Sequence, residues 1–336
     1  MNALLYVLLF VVSIAVTLGG CALFTNGIEW LGKRLGISES AVGSILAAIG
    51  TTLPETSIPI IAIFFGESQD EVDVGLGAIL GAPFMLSTLV LPILGLLLIL
   101  YARAGKRTSR FHLNYSDVII DLVFFTIGYL IALGCIYSPN RFVHFIAAVI
   151  LICLYAYYLK KKLSTSDEEG SEGSQLEPLI FAPSKTTPPH LMIGLQALTG
   201  LAGLIMGAHL FVTAAESMAG MFDVSPLLLA LLIAPLATEL PEMSNSFLWL
   251  YRKKDRLAVA NVTGAMVFQG TIPVSVGLLG TDWVIASSAT TTMVLAVQAV
   301  MFYLLQLFIG GHWRAWLLGS GALLYIGYTV YLAVGH

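Results

Sequence analysis

"AIGTTLPETS", residues 48–57, interrupts an apolar run that otherwise has the length of a membrane-spanning helix. It sets a glycine, two threonines, a proline and a glutamate inside that run. "LATELPEMSN", residues 236–245, carries the same Thr-x-Leu-Pro-Glu core in the other half of the chain. Proline withholds a helix hydrogen bond and crowds the preceding turn, and glycine loosens that turn. Each stretch therefore predicts a helix split into two half-helices. Carbonyls around Gly50, Thr51 and Thr238 then need partners inside hydrocarbon, and a bound cation can be one. Glu55 and Glu242 place a carboxylate beside each break. A charge at the bilayer centre costs roughly 3 kcal/mol or more, so an acid kept there reads as functional.

The rest of the chain fits this setting. Of 336 residues, 57% are hydrophobic and 11% charged, against about a quarter charged in soluble domains. Apolar runs of membrane-crossing length recur throughout. They predict an all-α polytopic membrane protein with ten spans, near 4–33, 38–65, 72–101, 116–137, 141–160, 190–221, 225–250, 257–279, 283–309 and 313–334. The helices expected to be broken are the second and the seventh. Residues 161–189 are rich in Ser, Glu, Gly and Pro, and read as a flexible acidic linker. With the N-terminus placed outside, every Lys and Arg except Arg141 falls on the inner side, as the positive-inside rule requires. The linker is then cytoplasmic and both termini lie outside. No basic patch interleaved with aromatics suggests nucleic acid. Cys21, Cys135 and Cys153 lie far apart in apolar segments and show no metal or disulfide spacing.

An internal repeat organises the halves. "GGCALFTNGIEWLGKRLGIS" (19–38) aligns with "MGAHLFVTAAESMAGMFDVS" (206–225) at an offset of 187, and the same offset carries Glu55 onto Glu242. "GAILGAPFML" (77–86) aligns with "ANVTGAMVFQ" (260–269) at an offset of 183. Five spans per half is an odd number, so the second copy enters the membrane from the opposite face. The reading is two inverted five-helix repeats, 1–160 and 190–336, with carboxylates and carbonyl oxygens gathered near the midplane, an architecture of secondary transporters. Oxygen ligands in forgiving geometry suit calcium. Neither motif holds a His or Cys, which argues against zinc or copper. No HExxH, GxSxG or similar nucleophile arrangement marks an enzyme. Glu29 and Glu216 occupy matching positions and either line an ion path or pair locally, while Asp117 and Asp121 are expected near the interface.

The doubled motif resembles the membrane domain of the sodium/calcium exchangers, in the calcium:cation antiporter superfamily, and in particular its prokaryotic type. The resemblance covers nearly the whole chain except the linker. It implies that Glu55 and Glu242 bind calcium, helped by the carbonyls of Thr51 and Thr238, and that the positions after those threonines, Thr52 and Glu239, contribute to sodium sites. The family's second block, which resembles G-N-x-x-G-S-N-x-x-[ND], is altered here. Ala78, Ala82, Pro83 and Leu86 replace polar positions in the first copy. The second copy keeps Asn261 and has Ala265, Met266 and, as a remaining polar candidate ligand, Gln269. Glu239 adds a third carboxylate. Crowded acids disfavour one another's charge, so protons can stand in for sodium. The expected activity is exchange of calcium for sodium or protons by alternating access, without a cofactor, in a prokaryotic inner membrane. A proton-coupled antiporter of another cation, and a channel-like or non-transporting protein on this scaffold, remain as alternatives.

Overall fold

The computed structural model describes residues 3–34, 53–166, 177–185, 187–222 and 224–334, and all regular structure among them is helical. In chain order the helices are α1 (Ala3–Arg34), α2 (Leu53–Phe65), α3 (Gln69–Met85), a π-helical turn (Leu86–Val90), α4 (Leu91–Arg103), α5 (Tyr115–Cys135), α6 (Arg141–Ser166) and α7 (His190–Phe222). They continue as α8 (Pro226–Thr238), α9 (Leu240–Tyr251), α10 (Asp255–Gln269), α11 (Ile272–Gly280), α12 (Ser287–Gly310), α13 (Ala315–Gly319) and α14 (Ala322–Val334). Among the described residues, eight stretches are long and apolar enough to cross a membrane, and two shorter apolar helices, Glu55–Phe65 and Pro226–Leu236, accompany them. The protein is an integral membrane protein. In hydrocarbon only a helix or a closed barrel satisfies every backbone group from within, and the described residues take the helical solution.

The described residues form two compact units, each drawing on both halves of the sequence. The first comprises residues 1–75 and 159–226. In it α1 lies along α7, and α2 packs on both. Small residues let α1 and α7 approach: a methyl on Gly20 would meet the Leu204 amide at 2.5 Å, and one on Gly27 would meet Ala197 at 3.1 Å. Part of the stretch expected as linker is tied down here. Residues 161–166 continue α6. The Asn26 carboxamide accepts from the Ile180 amide at 3.1 Å, and the Trp30 indole donates to the Glu177 carbonyl at 3.0 Å. Gln196 receives the Phe181 amide at 2.8 Å and donates to Asn26 at 2.8 Å. Residues 167–176 lie outside the described ones.

The second unit comprises residues 76–158 and 227–336. Its seventh-span region is divided as the sequence predicts, into α8 and α9 with Glu239 between them. Pro235 and Pro241 cannot donate to the carbonyls of Leu231 and Ala237. Gly81 of α3 comes up against the first of these. A methyl there would collide with the Leu231 carbonyl oxygen and lie 2.7 Å from its carbon, so only a glycine Cα–H can face it. Gly77, one turn earlier, meets Leu227 and Ala230 in the same way. The glycines of "GAILGAPFML" thus serve close packing of α3 on α8.

Across from this seam α10 is anchored at its start. Asp255, in the first turn of α10, accepts from Arg107 at 2.5 Å and from the His112 amide at 2.9 Å. Arg107 also donates to the Leu250 carbonyl at the end of α9, at 2.9 Å. The side chains of Arg107 and Asp255 are 5% and 1% exposed, so the pair is desolvated. The loop between α4 and α5 is thereby fastened to the α9–α10 junction.

Two outcomes follow. Gly81→Val should destabilise the protein by about 1–3 kcal/mol through overpacking, whereas Gly134→Ala, with open space around it, should leave the melting temperature in detergent unchanged; equal melting of both variants would refute the seam. Arg107→Met leaves Asp255 buried without its partner, which should cost about 3–5 kcal/mol, and adding Asp255→Leu should recover most of that loss. Thermal melting of the three proteins checks it.

Candidate cation site

The two sequence motifs are best built up separately, one in each unit. In the first unit Glu55 stands in the first turn of α2 and is buried. Pro59, four residues on, has no amide to close the helix onto the Glu55 carbonyl. Thr51 and Thr52, expected to contribute oxygens beside it, lie outside the described residues.

In the second unit the chain places four predicted residues around the α8–α9 break. Thr238 ends α8, Glu239 occupies the break, Glu242 sits in the first turn of α9 and Gln269 ends α10. All four side chains are buried, Glu239 completely. Glu239 and Glu242 are three residues apart in one turn, so their carboxylates lie close enough to interact. The Gln269 amide donates to Glu239 Oε1. Because the Gln269 NH₂ is spent on the carboxylate, its own carbonyl oxygen is turned elsewhere. Glu239 Oε2 and Gln269 Oε1 have no hydrogen-bond partner among the described residues. Buried oxygens left in that state are costly unless a hydrogen-bond donor or a cation completes them. The Thr238 hydroxyl donates to the Ala234 carbonyl at 3.2 Å, which leaves its oxygen lone pairs as acceptors.

The sequence did not reveal how α9 is held. Asn261 of α10 donates to the Glu242 carbonyl at 3.1 Å and to the Ser246 hydroxyl at 3.0 Å. This asparagine, the polar position that the second block keeps, braces the helix that carries Glu242. The same α10 is held from its other side by Asp121. That residue is buried, 1% exposed, and accepts from Tyr158 at 3.0 Å and from Thr263 at 2.6 Å. Only the packing of α5, α6 and α10 could have shown this, since the three partners are far apart in the chain. In the first unit Glu216 accepts from the Ser68 hydroxyl at 2.8 Å, the local pairing that was one of its two readings.

Chemically, the second unit offers a buried, all-oxygen set: two carboxylates in one turn, a carboxamide oxygen and a threonine hydroxyl. Such donors suit a hard cation. Two buried carboxylates this close repel each other, and either a cation or a proton relieves the repulsion. The arrangement can therefore hold a metal ion or a proton as alternatives.

Comparison with known proteins agrees. The chain is 24% identical over 291 residues to the putative antiporter CaxA of Alkalimonas amylolytica, covering 84% of this chain and 85% of that one. Its fold matches the crystal structure of the H+/Ca2+ exchanger CAX with a TM-score of 0.70 at 14% identity, over 98% of this chain and 86% of the other. It also matches the sodium-calcium exchanger NCX_Mj with a TM-score of 0.56 at 19% identity, over 98% and 99% of the two chains. The family described as sodium/calcium exchanger protein matches residues 5–160 and 193–334. Those matched segments take in both motifs and most or all of every helix named above, and the chain belongs to the sodium/calcium exchanger family of membrane transporters.

Proposed function

We propose that this protein is a secondary antiporter that exchanges calcium for protons across a prokaryotic inner membrane by alternating access. The observation that carries the reading is the third carboxylate. Glu239 stands where the family resemblance expects a neutral sodium ligand, and it is buried with Glu242 on the same turn and the Gln269 amide on one oxygen. Calcium is coordinated by Glu55 and Glu242 with the carbonyls of Thr51 and Thr238. Glu239, with Thr52 and Gln269 as further oxygen donors, takes the proton when calcium leaves. Calcium or protons thereby offset part of the negative charge of the three carboxylates in each loaded state, and the transition between inward and outward access is cheap only when something is bound.

The same reading holds that the chain has ten spans in two inverted repeats, 1–160 and 190–336, joined by a cytoplasmic linker at 161–189, with both termini outside. The repeated motifs and the one-sided distribution of Lys and Arg support it. So does a shared irregularity: the π-helical turn at Leu86–Val90 and the α10–α11 break after Gln269 fall at matching positions of the second block. Relatives in both camps exist, an H+/Ca2+ exchanger and a sodium-calcium exchanger. Sodium as the counter-ion is the second reading, favoured by the family's description.

Reconstituted in liposomes, the protein should move calcium when a proton gradient is imposed and should ignore a sodium gradient. Flux driven by sodium alone would replace the proton reading with the second one, and no calcium movement under either gradient would remove calcium as the substrate. In the same preparation Glu242→Gln should weaken calcium binding at least about 100-fold, because removing one partner of a buried charge pair costs roughly 3–5 kcal/mol. Glu239→Gln should keep calcium binding and lose its pH dependence. In the unaltered protein acidification should weaken calcium binding, since a proton on Glu239 removes negative charge that helps to hold the metal. A Glu239→Gln protein whose calcium affinity still falls on acidification would rule out Glu239 as the proton carrier.

A further inference from the structure

A second site lies at one membrane edge of the second unit, where α4 and α12 end and α5 and α13 begin. A cavity of about 570 Å³ opens there, and Arg103, Arg110, Arg314, His312 and Ser109 line its polar side. The three arginines have no carboxylate within salt-bridge distance among the described residues, unlike Arg107 and Arg141, which do. Three guanidinium groups around one cavity repel each other, and their forked donors match the oxygens of a phosphate.

The cavity has a firm wall. Trp313 is 1% exposed and meets the rings of Phe111, Tyr115 and Tyr303 at centroid distances of 6.3, 6.5 and 6.1 Å, while its indole donates to the Tyr303 carbonyl at 3.1 Å. Gly311, at φ 65°, turns the chain out of α12 so that His312 and Arg314 face the opening. His312 Nδ1 lies 2.7 Å from the Gly310 carbonyl, which can only accept, so that nitrogen carries its proton and fixes the ring. Trp316 on the rim is 61% exposed, a placement typical of tryptophan at headgroup level.

A smaller cavity of about 210 Å³ adjoins the first and shares His312 and Arg314 with it. Its other walls are Phe302, Leu305, Ile309 and Leu317, with the first three exposed on the surface of α12. A cationic chamber joined to an apolar groove at the membrane edge fits a molecule that is anionic at one end and a hydrocarbon at the other. We propose that the two cavities hold one anionic phospholipid, its phosphate among Arg103, Arg110 and Arg314 and an acyl chain along Phe302, Leu305 and Ile309. The occupant would tie the ends of α4, α12 and α13 together. Free phosphate would use the first cavity only and leave the groove without a role.

The test uses the full-length protein in detergent, titrated with phosphatidylglycerol or phosphatidylcholine and read by native mass spectrometry. The wild type should retain one phosphatidylglycerol in preference to phosphatidylcholine. The Arg110→Gln/Arg314→Gln variant should lose that preference by on the order of tenfold, as expected for two arginines facing an anionic headgroup. Equal retention of the two lipids by the wild type, or an unchanged preference in the variant, would overturn the proposal. A parallel arm adds inorganic phosphate at millimolar concentration: if it displaces the lipid completely and raises the melting temperature as much as the lipid does, the site takes soluble phosphate and the lipid assignment fails. Should the variant not fold, a photoactivatable phosphatidylglycerol on the wild type decides instead. Labelling of residues 302–317 supports the site, and labelling confined elsewhere refutes it.

Discussion

Everything in the second unit answers to one constraint: a helix in hydrocarbon must satisfy its own backbone, and here two prolines prevent it. Pro235 and Pro241 withhold amides from Leu231 and Ala237 on either side of Glu239. The chain meets the first deficit with close packing, bringing Gly81 onto the Leu231 carbonyl. Around the second it assembles a buried group of oxygens. A helix of ordinary sequence would need neither device and would have no place for an ion.

Holding acids in that position requires a rigid surround, and the surround is polar where it has to be and apolar elsewhere. α10 does most of the holding. Its start is clamped by the Arg107–Asp255 pair, its middle by Asp121 through Thr263, and its face toward α9 by Asn261. Its last residue, Gln269, reaches Glu239. These bonds are buried or partly buried, so each is stronger than it would be in water and more costly to leave unmade. These bonds fix the backbone and the neighbours of the carboxylates independently of any ion. A site meant to bind and release repeatedly benefits from that, since little ordering remains to be done on binding.

The proposed exchange chemistry and the proposed lipid contact use opposite charges in different places: buried carboxylates suit cations, while the arginine-lined cavity suits anionic headgroups. The positive loops that orient a chain in the membrane are thereby given a second use at Arg103, Arg110 and Arg314, which line a shaped cavity rather than a diffuse surface.

Much of this was legible in the amino-acid sequence. Apolar runs of spanning length, the paired Thr-x-Leu-Pro-Glu cores and the shortage of charge determined a helical membrane protein with broken helices and acids inside it, because hydropathy and proline chemistry are local properties. Glu239 and Gln269 could be named as candidates from their places in the two blocks. That the Gln269 amide grips Glu239, that Asn261 braces Glu242's helix and that Asp121 is buried against Tyr158 and Thr263 were decided by tertiary structure alone. So was the role of Gly77 and Gly81, which from the sequence were only what remained of an altered motif. These are contacts between residues tens to more than a hundred positions apart, and their geometry depends on how helices pack, which no local periodicity encodes.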